Sequence, residues 1–147
     1  MKNTILLISG LVITLLFLIL SAQIFEALYY DREFSNEMYN QSLYLIVAVV
    51  TSVVAWTLAG IYYYAINSVS FSRWYHWLIV LVVAMVLAPV MNYIYSNNVF
   101  SGDGLDFSNQ LFVFCLIDLL IEIVMFLIAS FSIRWWSSNC RHTPIPE

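Results

Sequence analysis

The sequence predicts an all-α integral membrane protein, a four-transmembrane-helix up-down bundle with both termini cytoplasmic. Three observations predict it. Of 147 residues, 63% are hydrophobic and 10% charged, and the mean hydropathy is +0.87. A soluble domain averages roughly 45–50% apolar and roughly 25% charged residues. The apolar residues gather in four runs, 5–24, 43–66, 77–94 and 111–133, each near the roughly 20 residues that cross a bilayer as a helix. Basic residues sit in the short segments between the runs. Lys2, Arg73, Arg134 and Arg141 fall on one side and Arg32 alone on the other, which by the positive-inside rule makes the first side cytoplasmic.

The segments outside the runs are too short to bury a core of their own. A soluble nucleotide-binding fold, a receptor ectodomain and a soluble catalytic unit are thereby excluded. The chain reads as one transmembrane domain over 1–147, placed in an inner (cytoplasmic) membrane of bacterial type.

Helix one is expected over 5–26. Its apolar run exceeds the 7–15 residues of a signal-peptide core, and Leu20 stands where a cleavage site after Ala22 needs a small residue, so the helix is read as retained. It is almost unbroken Ile, Leu, Phe and Val, which suits lipid or a wholly apolar interface. The connection 27–42 carries Asp31, Glu33 and Glu37 without Gly or Pro. It reads as a further turn of helix one or as a short interfacial helix.

Helix two, 43–66, offers a packing face. Thr51, Ala55 and Ala59 recur every four residues, with Ala48 and Ser52 beside them. Small side chains let backbones approach where lipid supplies little hydrophobic push. The face reads first as an ordinary intramolecular interface, with an intersubunit contact as the alternative. Asn67 is expected to close this helix, and Ser70 or Ser72 to cap the next. Helix three, 74–94, contains Pro89, which removes an N–H and crowds the Met85 carbonyl. The connection 95–110, with Asn97, Asn98 and Gly102-Asp103-Gly104, reads as turn, and Asp106 or Ser108 can cap the fourth helix.

Trp74, Trp77, Trp135 and Trp136, with Tyr62, Tyr63, Tyr64 and Tyr75, fall at the cytoplasmic ends of the helices. Amphipathic rings suit the headgroup layer, so these read as interfacial anchors.

Helix four, 109–133, carries the most informative signal. Asp118 and Glu122 lie four residues apart, hence on one helix face, with Cys115 on the same stripe. Asp at a helix centre costs roughly 2.5–3.5 kcal/mol on insertion scales. No Lys, Arg or His lies inside any run; without a cation, a buried Glu122 is expected to keep its proton. The neutral groups within reach are Thr14, Thr51, Ser52, Thr57, the Trp56 indole and the Asn92 amide. The pair has three readings: interhelical hydrogen-bond glue, pairing with a cation supplied by a partner subunit, or a proton or ion pathway.

The tail, 134–147, places Cys140, Arg141, His142 and Pro144 next to the membrane. It reads as an interfacial anchor with a frayed end, or as a docking peptide for a cytoplasmic partner.

Sequence motifs for metalloprotease, phosphate-loop, dinucleotide and dithiol chemistry are absent. The two histidines, His76 and His142, lie outside the runs, so no metal site and no cofactor are expected, and neither is enzymatic activity or nucleic-acid binding. The function expected is that of a non-enzymatic membrane subunit, embedded in the lipid bilayer and assembling with itself or with other membrane proteins, as in secretion, transport, motor or envelope machinery. The alternative is a proton- or cation-conducting oligomer using Asp118 and Glu122.

Overall fold

The structure is a computed structural model describing residues 1–143; Pro144, part of the expected docking tail, lies outside the described residues. The described residues form helices and no strand: α1 Lys2–Ile19, α2 Ser21–Leu28, α3 Arg32–Asn40, α4 Leu43–Gly60, a π-helix Ile61–Ile66, α5 Trp74–Gly102 and α6 Ser108–Ile133, with short 3₁₀ turns at Val69–Phe71 and Arg134–Trp136. Four helices are long and apolar enough to cross a membrane: α1, α4 with its π-helical extension, α5, and α6 with its terminal turn.

The long helix expected over 5–26 is divided at Leu20, whose ψ of 15° leaves the helical path. Neither Gly nor Pro breaks it. Beyond the break, α2 carries Phe25 fully buried against Tyr44 and Phe114, at centroid distances of 6.0 and 4.9 Å. Tertiary burial of one aromatic ring thus overrides a continuous helical pattern.

Helix α3 is the short helix anticipated in the first connection. Asp31 caps it, accepting the Phe34 N–H at 3.1 Å, and Phe34, Ser35 and Met38 are buried beneath it. Phe34 lies within 6.0 Å, centroid to centroid, of Phe100, Phe107, Phe114 and Tyr29. α3 therefore closes one end of the bundle, here termed the cap end. Across it Gln41 donates to the Asp103 carboxylate at 2.7 Å, tying the two connections together.

Helix α5 runs eight residues further than the boundary at 94, to Gly102, and continues through Pro89. The segment expected as turn stays helical because Ser96 and Phe100 remain on the buried face, each at most 1% exposed. The turn is confined to the residues after Gly102, where Gly104 has φ +72°, a left-handed conformation that glycine adopts without a Cβ clash. Asp106 then accepts both the N–H and the hydroxyl of Ser108, fixing the start of α6; this hydrogen bonding holds its carboxyl below the usual range. Neither Ser70 nor Ser72 caps α5: Arg73 occupies the cap position without a side-chain bond, and Ser72 donates back to the Val69 carbonyl.

At the other end, the tail end, α4 widens into the π-helix and stops at Asn67, which sits in the left-handed region at φ 33°. At Gly10 helix α1 lies close against α6. A Cβ there would overlap Ser132 Oγ and stand 2.8 Å from Ser132 Cβ.

Candidate functional site

The polar centre of the bundle is built from three helices. Asp118 on α6 is fully buried. Its Oδ1 accepts the Thr51 hydroxyl of α4 at 2.8 Å, and its Oδ2 accepts the Asn92 amide of α5 at 2.7 Å. The same Asn92 amide also reaches Thr51 Oγ1 at 3.3 Å. Each group sits there for a local reason. Thr51 belongs to the small-residue face of α4, and Asn92 is one turn beyond Ala88 and two beyond Ala84, both fully buried. Small neighbours bring the backbones close enough for short side chains to meet.

Glu122, one turn along α6, is also fully buried, but both its carboxyl oxygens lack a hydrogen-bond partner. The Asn92 Oδ1 and Ser52 Oγ atoms are likewise buried without one. The acid pair thus divides into a satisfied member and an unsatisfied one. Cys115, expected on the same stripe, lines a shallow apolar groove of about 330 Å³ between α5 and α6, with Pro89, Tyr93 and Phe112 among its walls.

Aromatic layers bracket this centre. Phe114 lies one turn toward the cap end from Asp118 and joins the Phe25–Phe34 cluster. Phe126 lies one turn toward the tail end from Glu122 and packs on Trp77 at 5.5 Å. Trp77 does not stand outward as a headgroup anchor: it is 5% exposed, and its indole donates to Ser130 Oγ at 3.1 Å. Trp74 and Trp136 are about half exposed, and Trp135 donates to the Phe131 carbonyl.

Ala48, Thr51, Ser52, Ala55 and Ala59 are all buried within this one chain. The Trp56 indole, a possible donor to the acids, instead donates to Thr14 Oγ1 at 3.0 Å, and Thr14 bonds back to the Gly10 carbonyl. This ties α1 to α4.

As far as residue 143 the tail is packed rather than free. Asn67 organises it: its Oδ1 accepts from the Ser137 hydroxyl and the Asn139 N–H, its carbonyl accepts the Asn139 amide, and its own amide donates to Ser138. Three successive tyrosines on the π-helix each pin another segment. Tyr62 donates to the Phe71 carbonyl, Tyr63 to the Thr143 carbonyl and Tyr64 to the Ile133 carbonyl. Cys140 is fully buried, its thiol against the Ser68 carbonyl, and burial pushes that thiol up. Arg141 donates to the His142 ring. A segment read as an anchor or a docking peptide is therefore folded onto the 67–71 turn through residue 143. Asn67 was legible only as a helix stop, because hydrogen bonds to residues 70 or more positions away leave no trace in local spacing.

Among the described residues no group of His, Cys, Asp and Glu is arranged to hold a metal ion. In comparisons with family models, curated proteins and solved structures, nothing matches this chain.

Proposed function

We propose that the chain is a non-enzymatic subunit of a larger membrane assembly, an up-down bundle with both termini and the 67–73 turn in the cytoplasm. The non-enzymatic part of the reading is supported by the closure of the Asp118–Thr51–Asn92 clamp inside one chain, where the acid holds three helices together. With its acceptors occupied from α4 and α5, Asp118 needs no cation from a partner. The small-residue face of α4 is likewise used internally. Contacts with a second copy or another membrane protein then fall to outward apolar surface. Helix α1 has the most to offer, since 17% of its span is buried against 44% for α4.

The test joins topology and assembly. Cysteines introduced singly at Ser70 and Ser101, both exposed, in a chain lacking its native cysteines should label from opposite sides of intact cells, 101 from outside. Native mass measurement after mild extraction should give a complex heavier than one chain, and bulky substitutions on the outward α1 residues Ile8, Val12 and Leu15 should dissolve it. Labelling of 70 from outside, or a chain monomeric under every mild condition, overturns the proposal.

The second reading, a proton- or cation-conducting oligomer, rests on one observation: Glu122 is buried with both oxygens unpartnered. An acid at that depth is a recurring mark of relays. Passage along the axis of one chain would have to part Phe114 and the cap cluster on one side and the Trp77–Phe126 pair on the other. Flux in proteoliposomes that falls in Glu122→Gln while the complex mass is unchanged supports this reading. Wild-type flux equal to that of empty liposomes removes it.

A further inference from the structure

Arg134 stands apart from the other basic residues. It opens the 3₁₀ turn that ends α6 and is 9% exposed. Its guanidinium carbon lies 4.5 Å from the Phe131 ring centroid and 4.1 Å from that of Trp135. The Trp135 ring is itself held, because its indole donates to the Phe131 carbonyl at 2.8 Å. The Nε atom is buried with no acceptor, and no ion pair or hydrogen bond engages the guanidinium among the described residues.

Aromatic faces attract a cation but accept no fork of N–H groups, and a buried charge without a counter-charge is costly. Among the described residues, neither 67–76 nor 134–143 contains Asp or Glu; Glu147 lies outside the described residues. The 26 residues of α6 extend about 39 Å at 1.5 Å per residue, beyond the roughly 30 Å hydrocarbon layer. When the cap end of α6 lies at one surface, Arg134 reaches the headgroup layer of the other. A planar guanidinium matches phosphate oxygens two at a time, which a point charge does not.

We propose that Arg134, with the Phe131 and Trp135 rings as its walls, is a seat for a phosphate oxyanion at the tail end of the bundle, filled by the headgroup of an anionic phospholipid. The rings hold the guanidinium ready, so little side-chain freedom is lost when phosphate arrives. The lipid becomes a fixed part of the bundle's rim, beside the exposed Trp136.

The experiment titrates the full chain in neutral micelles with phosphatidylglycerol, phosphatidylcholine or inorganic phosphate, counting bound molecules by native mass spectrometry. The wild type is expected to retain phosphatidylglycerol at least about tenfold better than phosphatidylcholine. Arg134→Gln should lose about tenfold or more, the range expected for hydrogen bonds to a charged group. Arg134→Lys should fall in between. Trp135→Leu, which leaves the charge but removes one wall, should also weaken retention, and so tests the seat even if Arg134→Gln fails to fold. Arg73→Gln, at an exposed residue of the same end, should change little. Equal retention by Arg134→Gln, or an equal loss in Arg73→Gln, overturns the seat. Displacement of the lipid by millimolar inorganic phosphate overturns the lipid as occupant.

Discussion

Removing the Asp118 carboxyl should loosen the bundle by an amount set by two interhelical hydrogen bonds. Those bonds, 2.8 Å from Thr51 and 2.7 Å from Asn92, are fully buried. Interhelical hydrogen bonds in membrane proteins average about 0.6 kcal/mol and reach about 1.7, because the unfolded chain in the membrane also finds partners. Two of them give about 1–3 kcal/mol for Asp118→Ala. Asp118→Asn should cost less. Its carbonyl can still accept from Asn92, while its amide turns to Thr51, whose hydroxyl can accept as well as donate.

The assay is reversible unfolding in mixed micelles, run as a double-mutant cycle over Asp118→Ala and Asn92→Ala. The cycle isolates one bond, so a coupling of about 0.6–1.7 kcal/mol is expected. Independent sites add to within about 0.3–0.5 kcal/mol. A coupling inside that margin, or Asp118→Asn as damaging as Asp118→Ala, refutes the clamp.

Gly10→Ala should cost about 1–3 kcal/mol by overpacking, since its Cβ meets Ser132 Cβ at 2.8 Å, which rotation of the Ser132 side chain leaves in place; Ser132→Gly should restore stability in the same unfolding assay. Trp77→Phe keeps a ring against Phe126 but loses the bond to Ser130 and part of the buried indole volume, so about 1–3 kcal/mol is expected, against about 3–5 for Trp77→Ala, read from the two midpoints. Asn67→Ala removes the three hydrogen bonds that the Asn67 side chain makes to the tail, leaving the one to its backbone carbonyl, and should expose Cys140. Maleimide labelling of Cys140 in a Cys115→Ala background should accelerate at least about tenfold, and an unchanged rate would show that the tail is held by other means. Burial raises the Cys140 thiol, so the neutral form favours the folded tail. That contribution is whole below the ordinary thiol value of about 8.5 and declines as pH climbs through the higher folded value. In the wild type, labelling should consequently lag that of a free thiol most clearly above the ordinary thiol value, where the free thiol is ionised and the buried one is not, and matching profiles would contradict the burial.

The sequence carried the four apolar spans because membrane insertion is read from composition over about 20 residues, which needs no knowledge of neighbours. It also carried a short helix as one of two readings of the 27–42 connection, the stop at Asn67 and the common face of Asp118 and Glu122, but not the Asp31 cap. The break at Leu20 and the extension of α5 to Gly102 were not legible. Both are decided by where Phe25 and Phe100 find partners, and those partners lie far away in the chain.

The acid site shows the same division. Sequence alone determined that two carboxyls stand at membrane depth without a basic residue of this chain beside them, and it named Thr51 and Asn92 only as members of a longer set of neutral groups. Tertiary structure selected those two, sent the Trp56 indole to Thr14 instead, and left Glu122 with nothing. The physical reason is reach: a hydrogen bond requires heavy atoms about 3 Å apart, and such a distance between helices is set by backbone approach at Ala84, Ala88, Ala55 and Gly10. Helical periodicity fixes which residues share a face, but only packing fixes which faces meet.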